Sequence, residues 1–300
     1  MELQPRPLPF DATAVPGLSE QLLRSHHANN YGGAVRRLNA LRADLGRLDP
    51  ASAPGFLWNG LKREELIATN SMLLHELYFA SIGGGQPMEP ACALALAASF
   101  SSVERWRAEF AACGKAQAGG SGWMLLVFQP REGTLVNQWA GDHTHAIAGG
   151  VPLLALDMYE HAYHMDYGAA AAAYVDAFMA NINWQAVYER YQAAVQAASE
   201  GLACEAGEIG GARVIDVRRA GVFDGAKTMI AGAGRRDPEL VGAWSAELEP
   251  GSPVVVYCVY GHEVGRATAL RLRAAGLDAR FLRGGMAGWE SAGRPVETRP

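Results

Sequence analysis

The sequence lacks most features that would place a chain in a specialised class. No run approaches the roughly 18 consecutive apolar residues a membrane-spanning helix needs, so no membrane partner is expected. The opening Met1-Glu2-Leu3-Gln4-Pro5-Arg6 has no basic stretch followed by an apolar core, and no export signal is read from it. Cysteine is scarce. Cys92, Cys113, Cys204 and Cys258 lie far apart and form neither a disulfide framework nor a CxxC zinc motif. These absences lead to the expectation of a cytoplasmic protein. A basic face is missing as well: residues 1–200 carry 13 Lys and Arg against 19 Asp and Glu, and residues 201–300 carry 13 against 12. That balance argues against a nucleic-acid partner.

What is present is enough for two cores. The chain has 300 residues, 49% of them hydrophobic and 19% charged, which excludes disorder and exceeds one compact core. Its histidines are unevenly spread, all but His262 falling in the first 200 residues, so the two parts are expected to do different chemistry. Ser19 is a plausible cap, and Val35, Leu38, Leu41 and Leu45 recur at helical spacing to about Gly46. A Pro/Gly/Ala-rich break follows from Asp49 to Gly60, then a second amphipathic run from Arg63 to Ala80. The pair reads as an antiparallel helical hairpin. Residues 123–128 and 134–139 flank the turn signal Pro130-Arg131-Glu132-Gly133 as a β-hairpin, and Val151–Leu156 is a buried strand ending at Asp157.

Beyond about residue 200 the rhythm becomes alternating strand and helix. Strands are expected at 213–218, 253–258 and 278–282, with a helix from about Val264 to Ala275, which implies a parallel sheet. Ala193–Glu208 is the linker candidate, giving domains of 1–200 and 205–300.

His26, His75, Asp157 and His161 form the first chemical constellation. Asp157 ends a strand and His161 follows by four residues, while His26 and His75 sit on the two hairpin helices. Three imidazoles and one carboxylate suit Mn, Fe or Zn. The plain alternative for any one of these histidines is a hydrogen-bonded core residue. The order Ser25-His26-His27, Asn70 to His75, Gly120-Ser121-Gly122-Trp123, Asp157-Met158-Tyr159-Glu160-His161-Ala162-Tyr163 and Asn181-Ile182-Asn183-Trp184 resembles the iron/manganese superoxide dismutase family across residues 8–195. The resemblance implies an α+β fold with an N-terminal helical hairpin and a small antiparallel sheet. It further implies one Fe or Mn ion on His26, His75, Asp157 and His161, superoxide as substrate, and a homodimer with Glu160 at the interface. It implies an antioxidant role and an aromatic shell of Tyr78, Trp123 and Tyr159.

Departures concentrate at the gateway. Asn30, Ala34, His164 and Ala171 stand where the family places His, Tyr, Tyr and Arg, and Ser71 stands where some members place a Gln. The resemblance leaves His143 or His145 to approach the metal-bound solvent, with His143 preferred. Tyr31, Arg36 and Arg37 are candidates to restore proton donation and steering, although surface solvation is the plainer role for the arginines.

In the second part, Cys258 ends an apolar strand and faces a helix start, where backbone N–H groups favour a thiolate. A buried, inert cysteine is the alternative. Val214-Ile215-Asp216-Val217-Arg218, Leu282 to Trp289 and Ala292-Gly293-Arg294-Pro295-Val296 flank it and resemble a rhodanese domain. The resemblance implies an α/β parallel-sheet fold, Cys258 as persulfide carrier and a sulfane-sulfur donor. Asp224-Gly225-Ala226-Lys227 replaces the family's usual segment, and the loop has no Lys or Arg, leaving His262 alone to attract an anion. Three readings follow: a superoxide dismutase with an appended sulfur-handling or regulatory module, a metal-binding redox or sulfur sensor with little turnover, or a sulfurtransferase acting through Cys258.

Overall fold

The Ser19 hydroxyl accepts the Leu22 N–H at 3.1 Å, and from that cap the chain stays helical to Arg47. The computed structural model describes residues 2–299. The expected first helix is interrupted: α1 (Glu20–Ser25) passes through a π-helical turn (His26–Tyr31) into α2 (Gly32–Arg47). That wider turn puts the residues before and after it out of step and starts at a proposed ligand, a frequent place for such turns. α3 (Gly55–Phe79) begins inside the stretch expected to be loop, because Pro54 presets an extended entry and the following residues are tolerated in a helix. α2 and α3 form the expected antiparallel hairpin, bridged by Arg37–Glu64 and Arg42–Glu65 ion pairs.

Two helices that the sequence did not mark follow, α4 (Pro90–Phe100) and α5 (Val103–Ala116). They are separated by Ser101 in the left-handed conformation, and Ser102 caps α5. The sheet is as expected, with β1 (Trp123–Gln129) central between β2 (Thr134–Ala140) and β3 (Val151–Asp157), all antiparallel. A 3-10 turn (Glu160–Ala162) carries His161 in place of the expected helix start. α6 (His164–Tyr167), α7 (Ala171–Ala180) and α8 (Trp184–Ser199) close this part.

The expected linker is not a loop. Residues from Ala193 to Ser199 complete α8, a 3-10 turn covers Glu200–Leu202, and β4 (Ala203–Cys204) already pairs with the second sheet. β5 (Arg213–Asp216), α9 (Ala220–Asp224), β6 (Thr228–Ile230), β7 (Gly234–Arg235), α10 (Val241–Trp244), β8 (Pro253–Tyr257), α11 (Glu263–Ala274), β9 (Asp278–Leu282), α12 (Gly285–Ser291) and β10 (Val296–Thr298) follow. The parallel sheet has the order β4-β9-β8-β5-β7, and β6 pairs antiparallel with β10.

The two parts share a packed seam. Ala267 and Leu270 of α11 belong to the core of the first part. Gly133 has φ +66°, and a Cβ there would stand 2.8 Å from the Leu270 Cβ and 3.0 Å from the Ala267 carbonyl oxygen, so the β1–β2 turn can reach α11 only with glycine. Arg271 reaches back across the seam, donating to the Gly133 carbonyl at 3.0 Å, the Ala98 carbonyl at 3.0 Å and the Ser99 hydroxyl at 2.9 Å.

Candidate metal centre and cysteine loop

Strand register brings the first groups together. Trp123 opens β1 opposite Asp157, which closes β3, so both lie at one end of the sheet. His26 enters from the π turn, His75 from the last turns of α3 and His161 from the 3-10 turn. One donor atom from each of His26, His75, Asp157 and His161 lies within 4.8 Å of all the others. Asp157 Oδ2 is 3.1 Å from His26 Nε2, 3.2 Å from His161 Nε2 and 3.4 Å from His75 Nε2. His26, His75 and Asp157 are fully buried, while the His161 side chain is 27% exposed and marks the approach from solvent.

Proton placement tests whether these groups fit a cation. His75 Nδ1 stands 2.6 Å from the Ser71 carbonyl, which only accepts, so Nδ1 carries the proton. The lone pair of Nε2 therefore faces the Asp157 carboxylate and, at 3.4 Å, His161 Nε2. Acceptors facing one another in a buried site are repulsive unless a cation joins them, and three nitrogens with one carboxylate oxygen suit Mn, Fe or Zn. The groups present fit the ion.

The charges agree with this. Burial depresses His26, and burial carries His75 down to about 3, keeping both rings neutral and able to ligate. Burial alone would raise Asp157, but the adjacent His161 and His26 outweigh it and hold the carboxyl below the usual carboxylate range. Its second oxygen accepts the Tyr159 N–H at 2.9 Å, and its main-chain carbonyl accepts from the Tyr174 hydroxyl at 2.8 Å. Tyr78, Trp123 and Tyr159 surround the cluster, with ring centres 5.1 Å from His26, 5.2 Å from His75 and 5.4 Å from His161.

The remaining expected residues separate clearly. His143 stacks on Tyr159 at 4.7 Å and its Nδ1 accepts the Trp123 indole N–H at 2.9 Å, so it stands beside the cluster. His145 turns outward, stacking on the exposed Trp139 and accepting the Gly141 N–H. The Tyr31 hydroxyl donates to Glu76 at 2.9 Å and accepts the Arg6 N–H at 2.7 Å, and its ring centre lies 6.3 Å from that of Phe79. Sequence reasoning missed the Trp123–His143 pairing, the Ser71 carbonyl and Tyr174, because a main-chain acceptor and an indole N–H leave no pattern in composition or spacing.

Cys258 follows β8 as a buried free thiol. Its carbonyl accepts the Met286 N–H at 2.9 Å, and the Val259 carbonyl accepts the Ala287 N–H at 2.9 Å, so the start of α12 grips the loop. Gly285, at φ +57°, permits this approach: a Cβ would lie 2.5 Å from the Cys258 carbonyl oxygen. Glu263, five residues after the thiol, accepts the Tyr188 hydroxyl at 2.9 Å and lies 3.6 Å from Arg219.

Residues 88–190 match the family described as iron/manganese superoxide dismutases, C-terminal domain, and residues 195–292 match the rhodanese-like domain. The chain is 63% identical over 191 residues to superoxide dismutase (Fe) of Cupriavidus metallidurans, covering 64% of this chain and 97% of that protein. It is 37% identical over 198 residues to superoxide dismutase (Mn) 1 of Halobacterium salinarum, covering 63% of this chain and 95% of the relative. With superoxide dismutase (Fe) of Aquifex aeolicus it shares 32% over 189 residues, covering 60% and 87%.

Proposed function

The chain belongs to the iron/manganese superoxide dismutase family and carries a rhodanese-like domain after it, and we propose that His26, His75, Asp157 and His161 hold the single Fe or Mn ion with which it dismutes superoxide. The observation that carries this is the convergence of three imidazole nitrogens on one buried carboxylate oxygen, with no proton left on His75 Nε2. When bound, the ion supplies a one-electron couple between +2 and +3, so that one superoxide leaves as dioxygen and a second, with two protons, as hydrogen peroxide. Asp157 contributes the one negative charge among the four groups, and Tyr159 N–H fixes its rotation. Because His143 Nδ1 accepts from Trp123, its ring proton sits on Nε2, where it can be donated beside the cluster. Tyr174 and Tyr78 lie behind the cluster and exclude water from that side.

The protein works as a homodimer in the cytoplasm in an antioxidant role. Glu160 and His164 stand exposed on the rim beside His161, where a partner surface can meet them. No helix among the described residues is long and apolar enough to cross a membrane.

Stopped-flow superoxide decay on protein loaded separately with iron and manganese tests the reading. Fast decay with one metal, abolished in His75→Ala, is expected. Stoichiometric metal with decay equal to that of the variant would make the metal domain a binding or sensing scaffold. Trp123→Phe keeps an aromatic ring, smaller than the indole, but removes the donor that orients His143. It is expected to slow decay about tenfold, the usual range for losing an outer hydrogen bond at a metal centre, with metal content unchanged on elemental analysis.

A second activity rests on Cys258. Its thiolate takes the outer sulfur of a sulfane donor, forming a Cys258 persulfide as the donor's S–S bond breaks and the remainder leaves with the electron pair. An acceptor thiolate then removes that sulfur. The position of the thiol just past the carboxyl end of β8, in a loop gripped by α12 and leading into the start of α11, supports this reading.

A further inference from the structure

Residues 141–150 connect β2 to β3 and carry His143 near their start. Part of this loop stands off α3. A cavity of about 360 Å³ has Leu73, Leu74 and Leu77 of that helix and His145, Ala146 and Ile147 of the loop in its walls. Within the loop, the Asp142 carboxylate accepts the Thr144 N–H and hydroxyl at 2.6 Å each, a local turn that ties the chain to no other element. Neither the cavity nor the turn fixes His143 relative to α3.

One hydrogen bond does. Asn70, which also borders the cavity, donates from Nδ2 to the His143 carbonyl at 2.5 Å, the one hydrogen bond between α3 and the loop among the described residues. A carbonyl oxygen only accepts, so the orientation of the amide is fixed with its NH₂ toward the loop. Asn70 lies on α3 five residues before His75. The helix that carries one imidazole of the cluster therefore also holds the main chain of His143, and the two rings stand with centres 6.2 Å apart. The Trp123 indole holds the same residue by its ring, at Nδ1. Either hold alone leaves a pivot. With only Trp123, the main chain is free to withdraw from α3; with only Asn70, the ring is free to turn about its side-chain torsions.

We propose that Asn70 is a positioning residue for dismutation that acts through His143. By gripping the His143 carbonyl it keeps the imidazole on the Trp123 N–H, with the Nε2 proton beside the cluster. The inference rests on the reading of His143 as a proton donor, but the grip itself is observable without turnover.

Nuclear magnetic resonance on the full chain loaded with zinc, which suits the same donors and is neither paramagnetic nor redox-active, tests the grip directly. The Trp123 indole N–H signal is identified by its absence from Trp123→Phe. Its exchange with solvent should accelerate about tenfold in Asn70→Ala, the usual worth of one hydrogen bond. Asn70→Asp, of the same size but with no proton to donate, should do the same. With iron or manganese, both variants should slow superoxide decay about tenfold at unchanged metal content, the scale of losing an outer hydrogen bond at such a centre. In a His143→Ala background, Asn70→Ala should cost nothing further, because residues acting through one group are not additive. Unchanged indole exchange in both variants, or an equal cost with and without His143, overturns the proposal. Faster exchange with decay as in the wild type would keep Asn70 as the grip on His143 and refute His143 as the proton donor.

Discussion

Asp157→Asn is expected to empty the centre of metal and to slow superoxide decay by more than about a hundredfold, since losing a group that merely orients a ligand already costs roughly 10- to 100-fold. Asparagine matches aspartate in size and can still accept the Tyr159 N–H, so the end of β3 should keep its path. What disappears is the only negative charge among four donors, and an amide NH₂ replaces the oxygen on which His26, His75 and His161 converge. That NH₂ can satisfy one imidazole lone pair. The others still face one another at 3.4 Å, without a carboxylate to balance an ion's charge. Elemental analysis should find substoichiometric Fe and Mn after loading, and stopped flow should find decay near the uncatalysed rate. A variant retaining a full equivalent of metal and wild-type decay would show that Asp157 is not a ligand.

The four donors were legible because each is anchored to an element whose pattern is visible. Asp157 ends a run of apolar residues, His161 follows by four, and His26 and His75 lie one on each of the two segments read as hairpin helices. The hairpin, the antiparallel sheet and the later parallel sheet were legible for the same reason. The π turn was not, since periodicity assumes a constant repeat and one inserted residue leaves no chemical mark. Nor was the Tyr31–Glu76 hydrogen bond legible, since the partners lie 45 residues apart. The helical start of the linker candidate was not legible from its composition as a junction, although Ala and Glu are strong helix formers and α8 runs on to Ser199. The preference for His143 over His145 rested on likeness alone. The physical distinction between them is that one faces Trp123 and Tyr159 and the other an exposed indole.

Arg271→Met should lower the melting temperature by roughly 6–12 °C, which corresponds to about 3 kcal/mol at the usual sensitivity of a chain this size. No carboxylate among the described residues pairs with Arg271, and burial pushes its pKa down. Its charge is held by dipoles instead: two carbonyls and one hydroxyl, from Gly133, Ala98 and Ser99. Methionine preserves most of the stem that packs along the seam but leaves those acceptors without their donor, so the loss arises from hydrogen bonding and not from a cavity. Scanning calorimetry should show one transition in the wild type and a separate, earlier one for the rhodanese-like part in the variant. Superoxide decay should survive at moderate temperature, because none of the three acceptors touches the metal cluster. Cys258 should become easier to alkylate, because α11 carries both Arg271 and the anchored end of the cysteine loop. An unchanged melting temperature and unchanged alkylation would mean that the two parts fold and act independently across the seam.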